Sequence, residues 1–267
     1  MDHAHFDAGQ GRRIAVNTAT RTRLLAEIDS RLADRKGFSV ATLNLDHLVK
    51  LRRFPVFRQA YARQSHVVAD GHPIVWISRL AGRAVHLIPG CELVHPVARL
   101  AADRGAPVAF LGSRETTLAR AAERLERRHP GLEVAARISP SFDFDPFGME
   151  ADACIEELRR SGARVCFLAL GAPKQEVFAA RAQSALPEVG FLSIGAGLDF
   201  LAGTQKRAPL WMRRFALEWL WRAVDDPKRL AMRYVRCATL MPGLILDGLR
   251  VRLAGRPAIP AEGLAEA

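Results

Sequence analysis

A chain of 267 residues, 49% of them hydrophobic, can fill one large domain with an appendage and is too apolar to stay disordered. Its formal charge is +11. Twelve Lys and Arg against four Asp and Glu between Lys206 and Arg256 put +8 of that in the last quarter, which implies an anionic partner. The four cysteines form no C-x-x-C pair, which argues against a zinc ribbon or a thioredoxin-type site and for reduced core thiols.

In chain order, Met1 to Arg13 is polar and lacks an apolar signal-peptide core. Short apolar runs follow, alternating with helical patterns. Val40–Asn44, Ser65–Asp70, Val108–Gly112, Val165–Gly171 and Phe191–Gly195 read as buried strands, with Leu132–Ile138 a sixth; Thr116–Arg128 and Ala151–Arg160 read as helices between them. This order predicts an α/β fold, a parallel sheet flanked by helices. Several strands end on Asn44, Asp70, Gly112, Gly171 or Gly195, and ligands bind beyond the carboxyl ends of such strands.

The chemistry-bearing residues cluster at those ends. Asp70, followed by Gly71-His72-Pro73, suits a general base that takes a proton from a hydroxyl, and suits equally a cap for the helix opening at Pro73. Gly171-Ala172-Pro173-Lys174-Gln175-Glu176 reads as a strand end followed by a helix start whose free N–H groups, with Lys174, can receive a nucleotide diphosphate. Gly195-Ala196-Gly197-Leu198-Asp199-Phe200 has the outline of a dinucleotide fingerprint, but Phe200 replaces its third glycine and the segment comes late, so a nicotinamide or flavin site is rejected. Asp143-Phe144-Asp145 has the spacing of a metal–nucleotide motif but no strand leading into it, and no histidine spacing suits a metal.

From Ala208 the pattern becomes helix rich in Trp and Arg, interrupted by Pro227, which suits the first residue of a further helix with Asp225 or Asp226 as cap. Trp211, Phe215 and Trp219 form a stripe at i, i+4, i+8, beside a basic face of Arg222, Arg229, Arg233 and Arg236. Aromatic residues beside a basic face fit the surface of an anionic bilayer. No apolar run spans a membrane; the best, Ala238 to Leu249, is short and holds Pro242, Gly243 and Asp247. The divisions expected are a catalytic core over 1–205, a basic helical appendage over 206–255 and a frayed tail over 256–267. The expected place is the cytoplasm, on a membrane and not through it.

Taken together, residues 14 to 240 resemble the WecG/TagA/CpsF glycosyltransferases. The resemblance is carried by Thr42-Leu43-Asn44 with Asp46-His47, Ala69-Asp70-Gly71 before Pro73, Phe110-Leu111-Gly112, Gly171-x-Pro173-Lys174-Gln175-Glu176, Gly195-x-Gly197-x-Asp199, Arg207-Ala208-Pro209, and Leu217-Glu218-Trp219 followed by Arg222, Pro227, Arg229, Arg233 and Tyr234. It implies a Rossmann-like core with a C-terminal appendage (the GT-E arrangement) and an inverting, metal-independent transferase without cofactor. The implied donors are UDP-N-acetylmannosamine, UDP-N-acetylmannosaminuronate or UDP-glucose, and the implied acceptors are undecaprenyl-diphosphate-linked saccharides of cell-surface polysaccharides. Asp70 then matches the base, with Thr42 beside it. Asn44, Gly71, Gly112, Gly171, Pro173, Lys174, Gln175, Glu176, Gly195, Gly197 and Asp199 fall to the donor, and Arg207, Arg222, Arg229, Arg233 and Arg236 to the acceptor diphosphate and membrane. Leu87 stands where relatives often carry an arginine, and the Asp143–Pro146 stretch is unusual; both bear on sugar preference. Two other classes fit parts of the chain. A nucleic-acid binder would use the basic helices but leaves Asp70 without a purpose, so no nucleic-acid partner is expected. A nicotinamide oxidoreductase would need the broken fingerprint. A homo-oligomer is compatible with the pattern.

Overall fold

The computed structural model describes residues 3–225 and 227–254. The chain opens with an antiparallel hairpin, β1 (Ala4–Asp7) and β2 (Arg13–Val16). It continues through α1 (Arg21–Ala33), β3 (Phe38–Leu43), α2 (Leu45–Arg53), α3 (Pro55–Ala62), β4 (His66–Ala69), α4 (His72–Leu80), α5 (Gly90–Asp103), β5 (Val108–Gly112) and α6 (Glu115–Arg128). Then come β6 (Val134–Ile138), α7 (Met149–Ser161), β7 (Val165–Ala169), α8 (Lys174–Ala185), β8 (Gly190–Ser193) and α9 (Gly197–Ala202). Last are α10 (Leu210–Arg214), α11 (Glu218–Asp225) and α12 (Pro227–Leu253).

The expected parallel sheet is present. Six strands lie in the order β4-β3-β8-β7-β5-β6, every neighbouring pair parallel. Helices cover both faces, so β3 and β5 are buried along their whole length. Alternate residues serve opposite cores. Val40, Phe110, Phe167 and Leu192 pack on one face with Leu24, Val97 and Leu118. Leu111, Leu168 and Phe191 face the other with Leu158 and Phe178, and Ala41 and Leu43 join Leu48 and Phe57. α1 shows why these segments are helices: Leu24, Ile28 and Leu32 recur at helical spacing on the buried side, and the Thr20 hydroxyl accepts the Arg23 amide to cap the start.

Two features depart from the sequence reading. The polar N-terminus folds as the β1–β2 hairpin, with Phe6, Ile14 and Val16 inserted into the core beside α2. The segment after Ala208 is not one helix up to Pro227. α10 stops after one turn because Ala216 takes a left-handed backbone (φ 62°), with Leu217 N donating to Met212 O and Ala216 N to Arg213 O. That is a helix-ending Schellman pair, and α11 starts afresh beyond it. Trp211, Phe215 and Trp219 therefore do not form a stripe on one helix. Pro227 does open α12, Asp225 ends α11, and Asp226 lies outside the described residues, as does the tail from Arg256.

α12 is the long element of the appendage and lies across α2 and α4. Leu244 is buried among Leu48, Ile74 and Ile77, and Cys237 is buried a little earlier on the same helix. The cysteines Cys91, Cys154, Cys166 and Cys237 are all free thiols. Among the described residues no helix is long and apolar enough to cross a membrane.

Candidate active site

The sheet order creates the site. β3 leads outward to β4, whereas its other neighbour, β8, leads to α9 on the opposite side, so a crevice opens between their carboxyl ends. A second reversal lies between β5 and β7. Thr42 is buried near the end of β3 and Asp70 is half-buried just past the end of β4, where its amide donates to Leu43 O at 2.8 Å.

The strand ends meet closely. A Cβ built on Gly90, the first residue of α5, would fall 2.6 Å from Ser193 O and 3.2 Å from Thr42 Cγ2, so only glycine lets α5 start between β3 and β8. A Cβ on Gly112 would fall 2.6 Å from Ala169 O, the same constraint at the second reversal, and the backbone there has φ 106°.

Helix starts surround the crevice. α2 is capped by Asn44, whose Oδ1 accepts the His47 amide at 3.0 Å. The starts of α4 at Gly71, α5 at Pro89, α8 at Pro173 and α9 at Ala196 have no side-chain cap. The N-cap position of α4 is Gly71 and not Asp70. Uncapped starts present N–H groups and the positive end of the helix dipole to an anion.

Gln175 is buried at the head of α8. Its Oε1 accepts the Gly195 amide at 3.3 Å and its Nε2 donates to Glu176 Oε1 at 2.9 Å, which sets the orientation of the amide. Glu176 has no exposed surface, and burial pushes its carboxyl up to about 7. Behind them His47 and Tyr61 share a 2.6 Å hydrogen bond. Burial pushes His47 down to about 3 and the Tyr61 hydroxyl well up.

The remaining predicted residues lie around this centre. Gly171 (φ 72°) and the cis Ala172–Pro173 bond lead into α8. Lys174 Nζ donates to Phe142 O at 3.0 Å, tying the loop after β6 to the α8 start. Asp199 accepts the Ser113 hydroxyl at 2.9 Å, so it joins Gly112 at the second reversal, and Gly197 packs against Cys91. In the Asp143–Asp145 stretch Phe144 is buried against Phe178, and Asp145 accepts the Phe147 amide at 3.0 Å, so the spacing serves a turn. Among the described residues no three His, Cys, Asp or Glu side chains gather as a metal site.

The appendage arginines divide. Arg207 pairs with Glu92 at 2.8 Å, and Glu92 also holds Arg21 at 2.6 Å. Burial alone would raise the Glu92 carboxyl, but Arg207 and Arg21 bring it below the usual range. Arg233 reaches Asp46 at 3.2 Å, and Arg236 is exposed on α12. The side chains of Arg222 and Arg229 lie outside the described residues. Trp211, Phe215 and Trp219 are 57%, 72% and 49% exposed, so each keeps much of its ring in solvent.

The sequence alone assigns no role to Asp46, which lies in the Thr42–His47 segment, or to Lys50, which lies outside the motifs. Lys50 Nζ binds Asp46 Oδ2 at 2.8 Å and donates to Ala172 O at 2.9 Å. Their i, i+4 spacing reads as an ordinary helix-surface pair; only the fold brings them to the α8 start.

The chain is similar to known bacterial transferases. An N-acetylglucosaminyldiphosphoundecaprenol N-acetyl-beta-D-mannosaminyltransferase of Bacillus spizizenii is 26% identical over 210 residues, covering 78% of this chain and 79% of the relative. The protein of the same name from Staphylococcus aureus is 28% identical over 167 residues, 62% of this chain and 63% of the relative, so over a third of that relative is unmatched. The model of the glycosyl transferase WecG/TagA/CpsF family matches residues 12–254, nearly the whole of the described structure, and the chain belongs to that glycosyltransferase family.

Proposed function

We propose that this protein transfers a sugar from a UDP-sugar to a hydroxyl of a saccharide carried on undecaprenyl diphosphate, with inversion and without a metal. The observation that carries the reading is the place of Asp70: a half-buried residue just past the end of β4, at the edge of a crevice near which α4, α5 and α8 start without side-chain caps. Asp70 takes the proton of the acceptor hydroxyl, and that oxygen attacks the anomeric carbon as the bond to UDP breaks on the opposite face. One displacement inverts the anomeric centre. The leaving diphosphate gains negative charge, which the free N–H groups of the α8 start would meet, while the appendage arginines would serve the acceptor diphosphate. Preorganised donors of this kind are worth about 2.7–4 kcal/mol each in other enzymes.

The relatives' names make N-acetylmannosamine the first sugar to try and N-acetylglucosaminyl-diphosphoundecaprenol the first acceptor. UDP-N-acetylmannosaminuronate and UDP-glucose are the next donors, because Leu87 leaves the expected arginine position apolar. The exposed aromatic residues and the basic appendage support a peripheral position on the inner face of the cytoplasmic membrane, which would bring the crevice to a lipid-borne acceptor. A screen of these donors against the lipid-diphosphate acceptor, read by product mass and anomeric configuration, tests the reading. Retention of configuration, or no product with any UDP-sugar, overturns it.

A further inference from the structure

The Asp46–Lys50 pair lies between two parts of the proposed machinery, α12 and the 171–176 loop. Asp46 is in the first turn of α2, with its side chain 11% exposed. Its two oxygens are held by different cations: Oδ1 by Arg233 of α12, Oδ2 by Lys50. Burial alone would raise the Asp46 carboxyl, but Arg233 and Lys50 bring it below the usual range, so the charge is present and needs both partners. Lys50 spends a further hydrogen bond on the Ala172 carbonyl, the residue immediately before Pro173 and the α8 start. The fully buried Glu176 feels the same lysine.

We infer that Asp46 and Lys50 are positioning residues that couple docking of the C-terminal appendage to the order of the 171–176 loop. The inference rests on the proposed reaction only in calling that loop the donor site. When α12 is seated, Arg233 neutralises one oxygen of Asp46 and Lys50 is shared between the other oxygen and Ala172. When Arg233 leaves, Asp46 is short of positive charge in a poorly solvated place. Lys50 is drawn onto it and slackens its hold on Ala172. The loop is thus firmest when the appendage is closed, and a ligand that orders the loop favours closure by the same factor, as linkage requires.

The test is a double-mutant cycle in the full chain, read by hydrogen exchange of the peptide spanning residues 170–178 without ligand, and by UDP affinity. Arg233→Ala should speed exchange of that peptide by about threefold or more, an effect of the size that coupled networks carry. Lys50→Met should speed it at least as much. The double variant should add nothing beyond Lys50→Met, because the route from Arg233 is already cut. UDP should bind about fivefold more weakly to Arg233→Ala than to the wild type, and equally to Lys50→Met with or without that change. Lys50→Arg should restore both readouts. Should Lys50→Met fail to fold, Asp46→Asn replaces it with a different expectation: Lys50 keeps Ala172, exchange of the peptide stays near that of the wild type, and Arg233→Ala adds nothing to it. Unchanged exchange in Arg233→Ala, or effects that multiply in the double variant, overturns the coupling. Non-additive exchange in a protein that UDP does not protect leaves the coupling standing and refutes the proposed donor.

Discussion

The sheet core and the C-terminal appendage use the same amino acids in opposite ways. In the core, the large apolar residues are spent: Phe38, Phe110, Phe167, Phe178 and Phe191 are all fully buried. Side chains are also excluded where strands meet, as at Gly90 and Gly112. In the appendage Leu210, Trp211, Phe215, Trp219, Met232 and Val235 are exposed beside a surplus of arginine. Among the described residues of α12 a few, such as Cys237 and Leu244, are buried where it packs on α2 and α4. The core consumes its large apolar side chains and is shaped around a crevice. The appendage carries apolar surface and charge that its own fold does not consume, which is what a segment meeting an amphipathic, anionic surface requires.

The sharpest way to break this division of labour is Asp70→Asn. It should lower turnover by at least about a hundredfold, the usual contribution of a general base, and leave vesicle binding unchanged. Near-normal turnover would take the base role from Asp70. The converse variant, Trp211→Ser with Phe215→Ser and Trp219→Ser, should abolish sedimentation with anionic vesicles while UDP still protects the core against thermal unfolding; retained sedimentation would move the membrane contact elsewhere. Raising salt should weaken vesicle binding of the wild type, since each basic residue near an anionic leaflet is worth about 1 kcal/mol and is screened.

Stability separates the regions on a smaller scale. Gly90→Ala should destabilise the protein by about 1–3 kcal/mol in denaturant titration, because its methyl group meets the Ser193 carbonyl rather than a movable side chain. The acid dependence is subtler. Glu176 titrates near 4.5 unfolded and about 7 folded, so the folded state holds its proton more tightly and this group's contribution to stability falls as pH rises between those values. His47, driven down to about 3, acts in the opposite sense below its ordinary 6.5. Comparing wild type with Glu176→Gln cancels the histidine. The melting temperature of the variant should gain on the wild type between about pH 4.5 and 7, and parallel curves would remove Glu176 from the account. The smallest expected effect is none: EDTA should leave turnover intact, and loss of activity restored by magnesium or manganese would refute the metal-free reaction.

Much of the core is legible because buried parallel strands write themselves as short apolar runs ending in Asn44, Asp70, Gly112 or Gly195, and the structure keeps each within a few residues of its expected bounds. The β1–β2 hairpin is harder to see. Its strands have four residues each, and the alternation of Ala4, Phe6 and Ala8 is diluted by His3, His5 and Asp7. The end of α10 leaves no local mark, since alanine is a strong helix former and Ala216 adopts a left-handed backbone only under tertiary packing. Asp46 and Lys50 are invisible for another reason: their meaning depends on Ala172 and Arg233, far away in the chain.

The position of β8 bears on how the protein is made. Phe38 at the start of β3 pairs with Gly190, so the last strand of the sheet enters between β3 and β7 and joins two groups already laid down. A nascent chain that has emerged only as far as β7 holds β3 with β4, and β5 with β6 and β7, as separate apolar half-sheets with an unfilled slot between them. Long-range parallel pairing of this kind is slow and leaves edges open while it waits. The crevice, lined on one side by β3 and on the other by β8, comes into being in a single late step. A chain truncated before Gly190 lacks the strand that closes the sheet, and its open slot exposes strand edges of the kind that chaperones and proteases recognise.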